Sequence, residues 1–170
     1  MNNNQVELYV NITNFPNYQI SNFGNCKNIT TGRILKGGIE GNGYLVVGLQ
    51  NNGERSMKKI HKLVANAFLE NPENKKCVDH KDRCRTNNHL SNLRYATGSE
   101  NSQNASMKAT NSSGTVGISW DKKQNKWRAN ITINGSQKSI GRFTKKEDAI
   151  LARANAEIQY FKDFRAIIPV

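Results

Sequence analysis

Between residues 8 and 60 the apolar positions fall in short runs broken by turn residues, which is the pattern of a strand-rich region. Strands are predicted at Tyr18–Ser21, Arg33–Lys36, Tyr44–Leu49 and Arg55–Ile60, with turns at 22–25, 31–32, 37–43 and 51–53. The glycines at 37, 38, 41 and 43 follow no phosphate-binding fingerprint and open no helix, so they predict a hairpin loop. The period then lengthens. Ile60, Leu63, Val64, Ala67 and Phe68 recur at i, i+3, i+4, i+7 and i+8, predicting a short helix that Asn71-Pro72 terminates. His61 sits at the edge of its apolar face, where a structural or solvent role is the better reading.

The next stretch, Cys77 to Asn101, is organised differently. A short apolar run, Cys77-Val78, leads into Asp79 and His80; Asn87, Asn88 and Asn92 fill a polar loop; Leu93–Ala96 has strand composition. Thr97-Gly98-Ser99-Glu100 then has the capping-box form that starts a helix. Strand, loop, strand and helix make a unit too small to bury a core of its own, so convergent Asp79, His80 and Asn101 suggest a site. Adjacent strand residues point to opposite faces, so Asp79 and His80 serve one phosphate only if the strand ends or bulges there.

Residues 102–113 are polar and carry no sustained apolar period, which predicts the tail of that helix and then a linker, with Lys108 placed to meet a phosphate. From Gly114 alternation returns. Val116–Trp120, Lys126–Asn134 and Gln137–Phe143 read as three strands, with Asn134-Gly135 as a hairpin signal. In the middle strand Trp127, Ala129, Ile131 and Ile133 alternate with Arg128, Asn130, Thr132 and Asn134, giving one apolar and one polar face. Thr144 and Glu147 form a second capping box, and Ile150, Leu151, Ala154, Ile158 and Phe161 predict the helix stripe that lies on the sheet. Trp120 and Trp127 are assigned to packing.

Charge changes the picture. Lys plus Arg number 25 against 13 Asp plus Glu, a net charge of +12, with +6 on each side of Ser113. Such an excess favours nucleic acid over a membrane, since the chain has no long apolar helix. Three cysteines without a C-x-x-C argue against a disulfide scaffold, and no signal peptide opens the sequence, so an intracellular compartment is expected.

The Asp79, His80 and Asn101 trio suits one kind of chemistry. A carboxylate and an amide oxygen are hard ligands for Mg2+ or Mn2+, too few for a closed cage, and a neutral histidine beside them takes a proton from water near pH 7. The run D-H, N-N, N-L-R and E-N over 79–101 resembles the HNH homing endonucleases with the ββα-metal fold. That resemblance implies His80 as general base, Asp79 and Asn101 as metal ligands, and Asn92 as the residue fixing the loop that holds His80. Arg83 departs from the family's usual glycine and Tyr95 from its frequent tryptophan. Phe15 to Gly24 resembles the modular motif at the N-terminus of many phage-type HNH nucleases, with Tyr9 where that motif commonly begins with tryptophan. Gly114 to Phe161 resembles the plant ethylene-response-factor (Apetala-type) DNA-binding domain through G-x-x-W, K-W-x-A-x-I and G-R-F-x-x-x-E-x-A. That resemblance implies a sheet entering the major groove with Ser119, Arg128, Asn130, Thr132, Gln137 and Ser139 toward the bases, the polar face that alternation alone identifies.

The sequence therefore predicts a two-domain α+β protein: a nuclease domain over 1–105, a linker over 106–113 and a DNA-binding domain over 114–170. Its expected substrate is double-stranded DNA, and a monomer is expected. Two rivals compete: a DNA-binding regulator whose nuclease site is degenerate, and a zinc-stabilised nucleic-acid-binding protein without catalysis, using Cys77, His80, Cys84 and His89 as C-x2-H-x3-C-x4-H.

Overall fold

The computed structural model describes residues 6–104, 111 and 113–164. The chain divides into two compact units, Met1–Ala96 and Thr97–Val170, and the described residues form four small antiparallel sheets and three α-helices, the mixed α+β class expected.

In the first unit β1 (Tyr9–Ile12), β2 (Phe15–Ser21) and β3 (Cys26–Asn28) make one sheet, and β4 (Gly38–Ile39), β5 (Leu45–Asn51) and β6 (Glu54–Lys59) a second. Helix α1 (Ile60–Phe68) follows β6 directly and packs Ile60, Val64 and Ala65 with Ile20, Cys26, Val47 and Leu49. Burial pushes the Cys26 thiol up to about 11, so it serves this core as a small apolar filler. The strand predicted at 33–36 does not form. Ile34 is exposed and makes an isolated bridge to Lys27, while Leu35 packs on the core and donates its N–H to the Cys26 carbonyl at 2.7 Å, so the segment is held by single contacts and not by a ladder. Strand β1, Tyr-Val-Asn-Ile, lies outside the predicted strands and pairs with β2, Val10 opposite Ile20.

Strands β7 (Cys77–His80) and β8 (Leu93–Ala96) form a hairpin in the register Asp79↔Arg94 and His80↔Leu93. Val78 and Leu93 turn inward to the core around α1, which fixes which face each neighbour takes.

The second unit holds α2 (Gly98–Gln103), then β9 (Ile118–Asp121), β10 (Lys126–Ile133) and β11 (Ser136–Phe143) in the order β11-β10-β9, then α3 (Lys146–Phe161). Asn134 and Gly135 both have positive φ, 49° and 79°, the two-residue turn that matches strand twist. The unit begins ahead of the boundary predicted at 105–114, because α2 packs with the residues after α3 and Ser99 Oγ lies 3.3 Å from Asn134 Oδ1. Most of the predicted linker, Lys108 included, lies outside the described residues. Within it, Ser113 is buried and its hydroxyl donates to the Thr115 carbonyl at 2.9 Å.

Two details of α3 correct the sequence reading. Its N-cap is Lys145, without a side-chain cap, so Glu147 falls one place short of the capping-box position. Its buried face is Ala149, Arg153, Ala156 and Phe161, leaving Leu151 and Ile158 exposed. Small alanines let the helix lie close on Ala129 and Ile131, and Arg153 is carried inside by its ion pair to Glu157 at 2.8 Å.

Candidate active site and DNA-facing surface

The β7–β8 loop is built from its own asparagines. Asn92, buried at the end of a 3₁₀ turn, accepts the Asp82 N–H at 3.0 Å and donates to Asp82 Oδ1 at 2.9 Å and to the Asn87 carbonyl at 2.8 Å. Asp82 also accepts from Asn87 Nδ2 at 2.7 Å and from the Cys84 N–H at 2.8 Å. Burial opposes ionisation of Asp82, but the bonds from Asn87, Cys84 and Asn92 hold its carboxyl below the ordinary value. Asp82, absent from the predicted site residues, is thus the hub of the loop. Arg83, with φ 64°, takes the left-handed conformation that glycine adopts without strain, and its N–H closes a turn onto the His80 carbonyl at 2.9 Å.

His80 is the last residue of β7, and the register up to it is regular. No bulge separates Asp79 from His80, so the two side chains leave opposite faces of the strand and take different partners. Arg94, the cross-strand neighbour of Asp79, donates Nε to Asp79 Oδ2 at 2.8 Å, and its Nη2 lies 2.7 Å from the same oxygen, with both side chains largely buried. His80 turns to Asn88, whose Oδ1 lies 3.1 Å from Nε2. An amide oxygen only accepts, so Nε2 carries the ring proton and the lone pair is on Nδ1. Burial pushes the His80 imidazole below its ordinary value, against the Asn88 bond and the Asp82 and Asp79 carboxylates, while Arg85 acts in the same sense as burial. The ring is neutral at pH 7.

Behind His80 stands His61 of α1, buried, with ring centroids 5.0 Å apart and an edge-on approach. Burial, then His80, Lys62 and Lys59, push His61 down to about 3, and its Nδ1 has no hydrogen-bond partner among the described residues. The ring of Tyr44 lies 4.7 Å from His61 and 6.0 Å from His80. The structural reading of His61 thus holds for its burial, yet it touches the expected general base.

Asn101 lies in α2, in the second unit. Its helix starts as the sequence predicts: Thr97 Oγ1 accepts the Glu100 N–H at 3.2 Å and Glu100 Oε2 accepts the Thr97 N–H at 2.7 Å. Three of the four groups of the zinc alternative, His80, Cys84 and His89, have other partners. Cys84 Sγ contacts Thr86 Oγ1 at 3.3 Å, and His89 stacks on Phe23 and bonds Ser91. Among the described residues no cluster of three or more His, Cys, Asp or Glu is placed to hold a metal.

On the C-terminal sheet, Arg128, Thr132, Gln137 and Ser139 are exposed and Ser119 half-buried. Asn130 departs from the predicted face. A register shift falls between Ala129 and Asn130, and Asn130 is buried, its amide oriented to donate to the Ala129 carbonyl and accept from Arg128 Nε, each at 3.2 Å. Ser119, Arg128, Thr132 and Gln137 line a cleft of about 900 Å³ whose other wall includes Ser99 and Ser102 of α2.

A strand-loop-strand hairpin carrying a neutral histidine, followed by a capped helix carrying an asparagine, is the layout of ββα metal-dependent nucleases. Residues 7–50 match the NUMOD4 motif and residues 58–103 the HNH endonuclease family. An uncharacterized HNH endonuclease of Acanthamoeba polyphaga mimivirus, L247, is 45% identical over 97 residues, 55% of this chain and 24% of that protein. The DNA endonuclease I-HmuI of Bacillus phage SP01 is 39% identical over 93 residues, 55% of this chain and 53% of the enzyme. The solved structure of the HNH homing endonuclease I-HmuI superposes with a TM-score of 0.55 at 32% identity, covering 78% of this chain and 76% of that one. The chain belongs to the HNH endonuclease family. It spans about a quarter of the mimivirus relative and about half of the phage enzyme. Neither family match reaches beyond residue 103.

Proposed function

We propose that the chain is a DNA endonuclease of the homing type that hydrolyses phosphodiester bonds in double-stranded DNA, acting as a monomer. The observation that carries this reading is His80: buried, neutral, and held by Asn88 in the tautomer whose Nδ1 lone pair accepts a proton from water. Asn92 and Asp82 fix the loop behind it. HNH nucleases depend on a divalent metal, and Asp79 and Asn101 are the hard oxygen donors that suit Mg2+ or Mn2+. Such a cation, when bound, polarises the phosphoryl group and offsets charge on the leaving oxygen.

The C-terminal unit is proposed to read the DNA through its sheet, as in the ethylene-response-factor domain that it resembles. Support comes from its three antiparallel strands with one helix behind, and from Arg128, Thr132, Gln137 and Ser139 exposed on the polar strand positions. Asn130 drops out of this set as a direct reader and becomes the residue that orients Arg128.

One observation favours a second reading. Asp79 is already held by Arg94, which lessens what it offers a cation and is what a regulator with a decayed nuclease site would show. Supercoiled plasmid incubated with the protein and Mg2+, then with EDTA, separates the two. Nicking or linearisation only with metal is expected; binding with intact supercoils under every condition would decide for the regulator.

A further inference from the structure

The geometry assigns Arg85 as the group that grips the scissile phosphodiester beside His80, with Tyr44 as the residue that positions it. This rests on the nuclease reading above. Two loops of the first unit meet here: the turn at 40–44 before β5 and the loop after β7. Arg85 Nη1 donates to the Asn42 carbonyl at 2.6 Å, and the guanidinium carbon lies 5.0 Å from the centroid of the Tyr44 ring. Gly43, at φ 83°, takes the left-handed turn between Asn42 and Tyr44, and the Arg85 stem lies within van der Waals reach of it. The same tyrosine ring lies 6.0 Å from His80. A guanidinium, a ring and the expected general base thus lie side by side in that order, joined by contacts that span 43 residues of chain.

Lys59 also approaches Tyr44, at 4.9 Å, but it is ion-paired to Glu40 at 3.2 Å. Arg85 is different. It is exposed, and among the described residues no carboxylate pairs with it, so it is a cation held in place by a carbonyl and a ring while donors of its fork remain for a ligand. A planar fork next to a general base matches a phosphate held by two oxygens. During hydrolysis the water oxygen bonds to phosphorus, its proton passes to His80, and the bond from phosphorus to the leaving oxygen breaks. Negative charge rises on the non-bridging oxygens as this happens, and Arg85 meets it without having to be reorganised.

The test compares wild type, Arg85→Ala, Arg85→Lys and Tyr44→Ala in single-turnover cleavage at saturating DNA, with Kd measured in EDTA and melting followed in parallel. Arg85→Ala is expected to slow cleavage by about 10²-fold with little change in Kd or melting temperature, and Arg85→Lys to recover part of the loss. Tyr44→Ala slows cleavage in the same direction. A duplex with a methylphosphonate at the mapped cut position removes one phosphate charge, and on it wild type and Arg85→Ala should cleave at similar rates. Wild-type cleavage with Arg85→Ala equally fast overturns the assignment alone, as does a loss confined to Kd or to melting. No cleavage by wild type overturns the nuclease reading and this assignment with it.

Discussion

The hairpin loop of the first unit and the sheet face of the second are both rich in polar side chains, but they use them in opposite ways. Around His80 the polar groups are spent on one another: Asp82 on Asn87 and Asn92, Asp79 on Arg94, His80 on Asn88. On the sheet, Arg128, Thr132, Gln137 and Ser139 stand exposed, and within this set Arg128 Nε donates to the buried Asn130 amide. A group that must meet developing charge gains from being fixed beforehand, whereas one that reads a base edge gains from a donor still unspent. The contrast separates a preorganised centre from an adaptable surface within one chain of 170 residues.

The sharpest way to break this comparison is a pair of substitutions. His80→Ala should reduce cleavage by roughly 10²–10⁴-fold and leave DNA affinity nearly intact. Arg128→Ala should do the reverse, weakening specific binding by about 1–3 kcal/mol with the chemical step unchanged at saturation. Cleavage assays and binding isotherms on one duplex decide it; equal effects on rate and affinity from both variants would dissolve the distinction.

Next in size is Arg94→Ala. It removes the ion-pair partner of a buried carboxylate, so a loss on the order of 3 kcal/mol of stability is expected, read by urea denaturation. A loss below about 1 kcal/mol would place the pair among surface ion pairs.

Acid should act on the two units unequally, since all three histidines lie in the first. His61 titrates near 3 when folded and near 6.5 when unfolded, so the unfolded chain binds the extra proton between those values. Stability is intact above pH 6.5 and declines as pH falls toward 3, at up to about 1.4 kcal/mol per pH unit. Trp120 and Trp127, both in the second unit, report on it by fluorescence while circular dichroism follows the whole chain. Dichroism should change first on acidification, and His61→Phe should flatten the dependence. Coincident transitions in both signals would refute the asymmetry.

Smallest is Arg83→Gly. Relief of the left-handed conformation should stabilise the first unit by about 1 kcal/mol, and a denaturation midpoint that stays or falls would show that the Arg83 side chain offsets the strain.

What the sequence conveyed tracks the range of the interactions. The Thr97–Glu100 box and the Asn134-Gly135 turn are each written within a few residues, the two strands of the β7–β8 hairpin each carry their own local composition, and all three formed as read. The second box failed by one residue, because Lys145 and not Thr144 is the last non-helical position. Which face of α3 is buried was not legible, since Arg153, paired to Glu157, takes an interior position while the apolar Leu151 and Ile158 lie exposed. At the candidate site the asparagines of the loop were visible in order, but the placement of Tyr44, His61 and Arg85 around His80 depends on contacts between distant segments. An exposed arginine in a polar loop carries no local signal.

The three cysteines lend themselves to a practical use. Cys26 is buried and its thiol raised, Cys77 is half-buried, and Cys84 is exposed, where the Thr86 hydroxyl lowers its pKa. Thiolate chemistry therefore favours one position over the other two. A maleimide dye would attach first at Cys84, one residue from Arg85, and its emission would follow the arrival of DNA in real time on the unmodified sequence, with no cysteine added or removed.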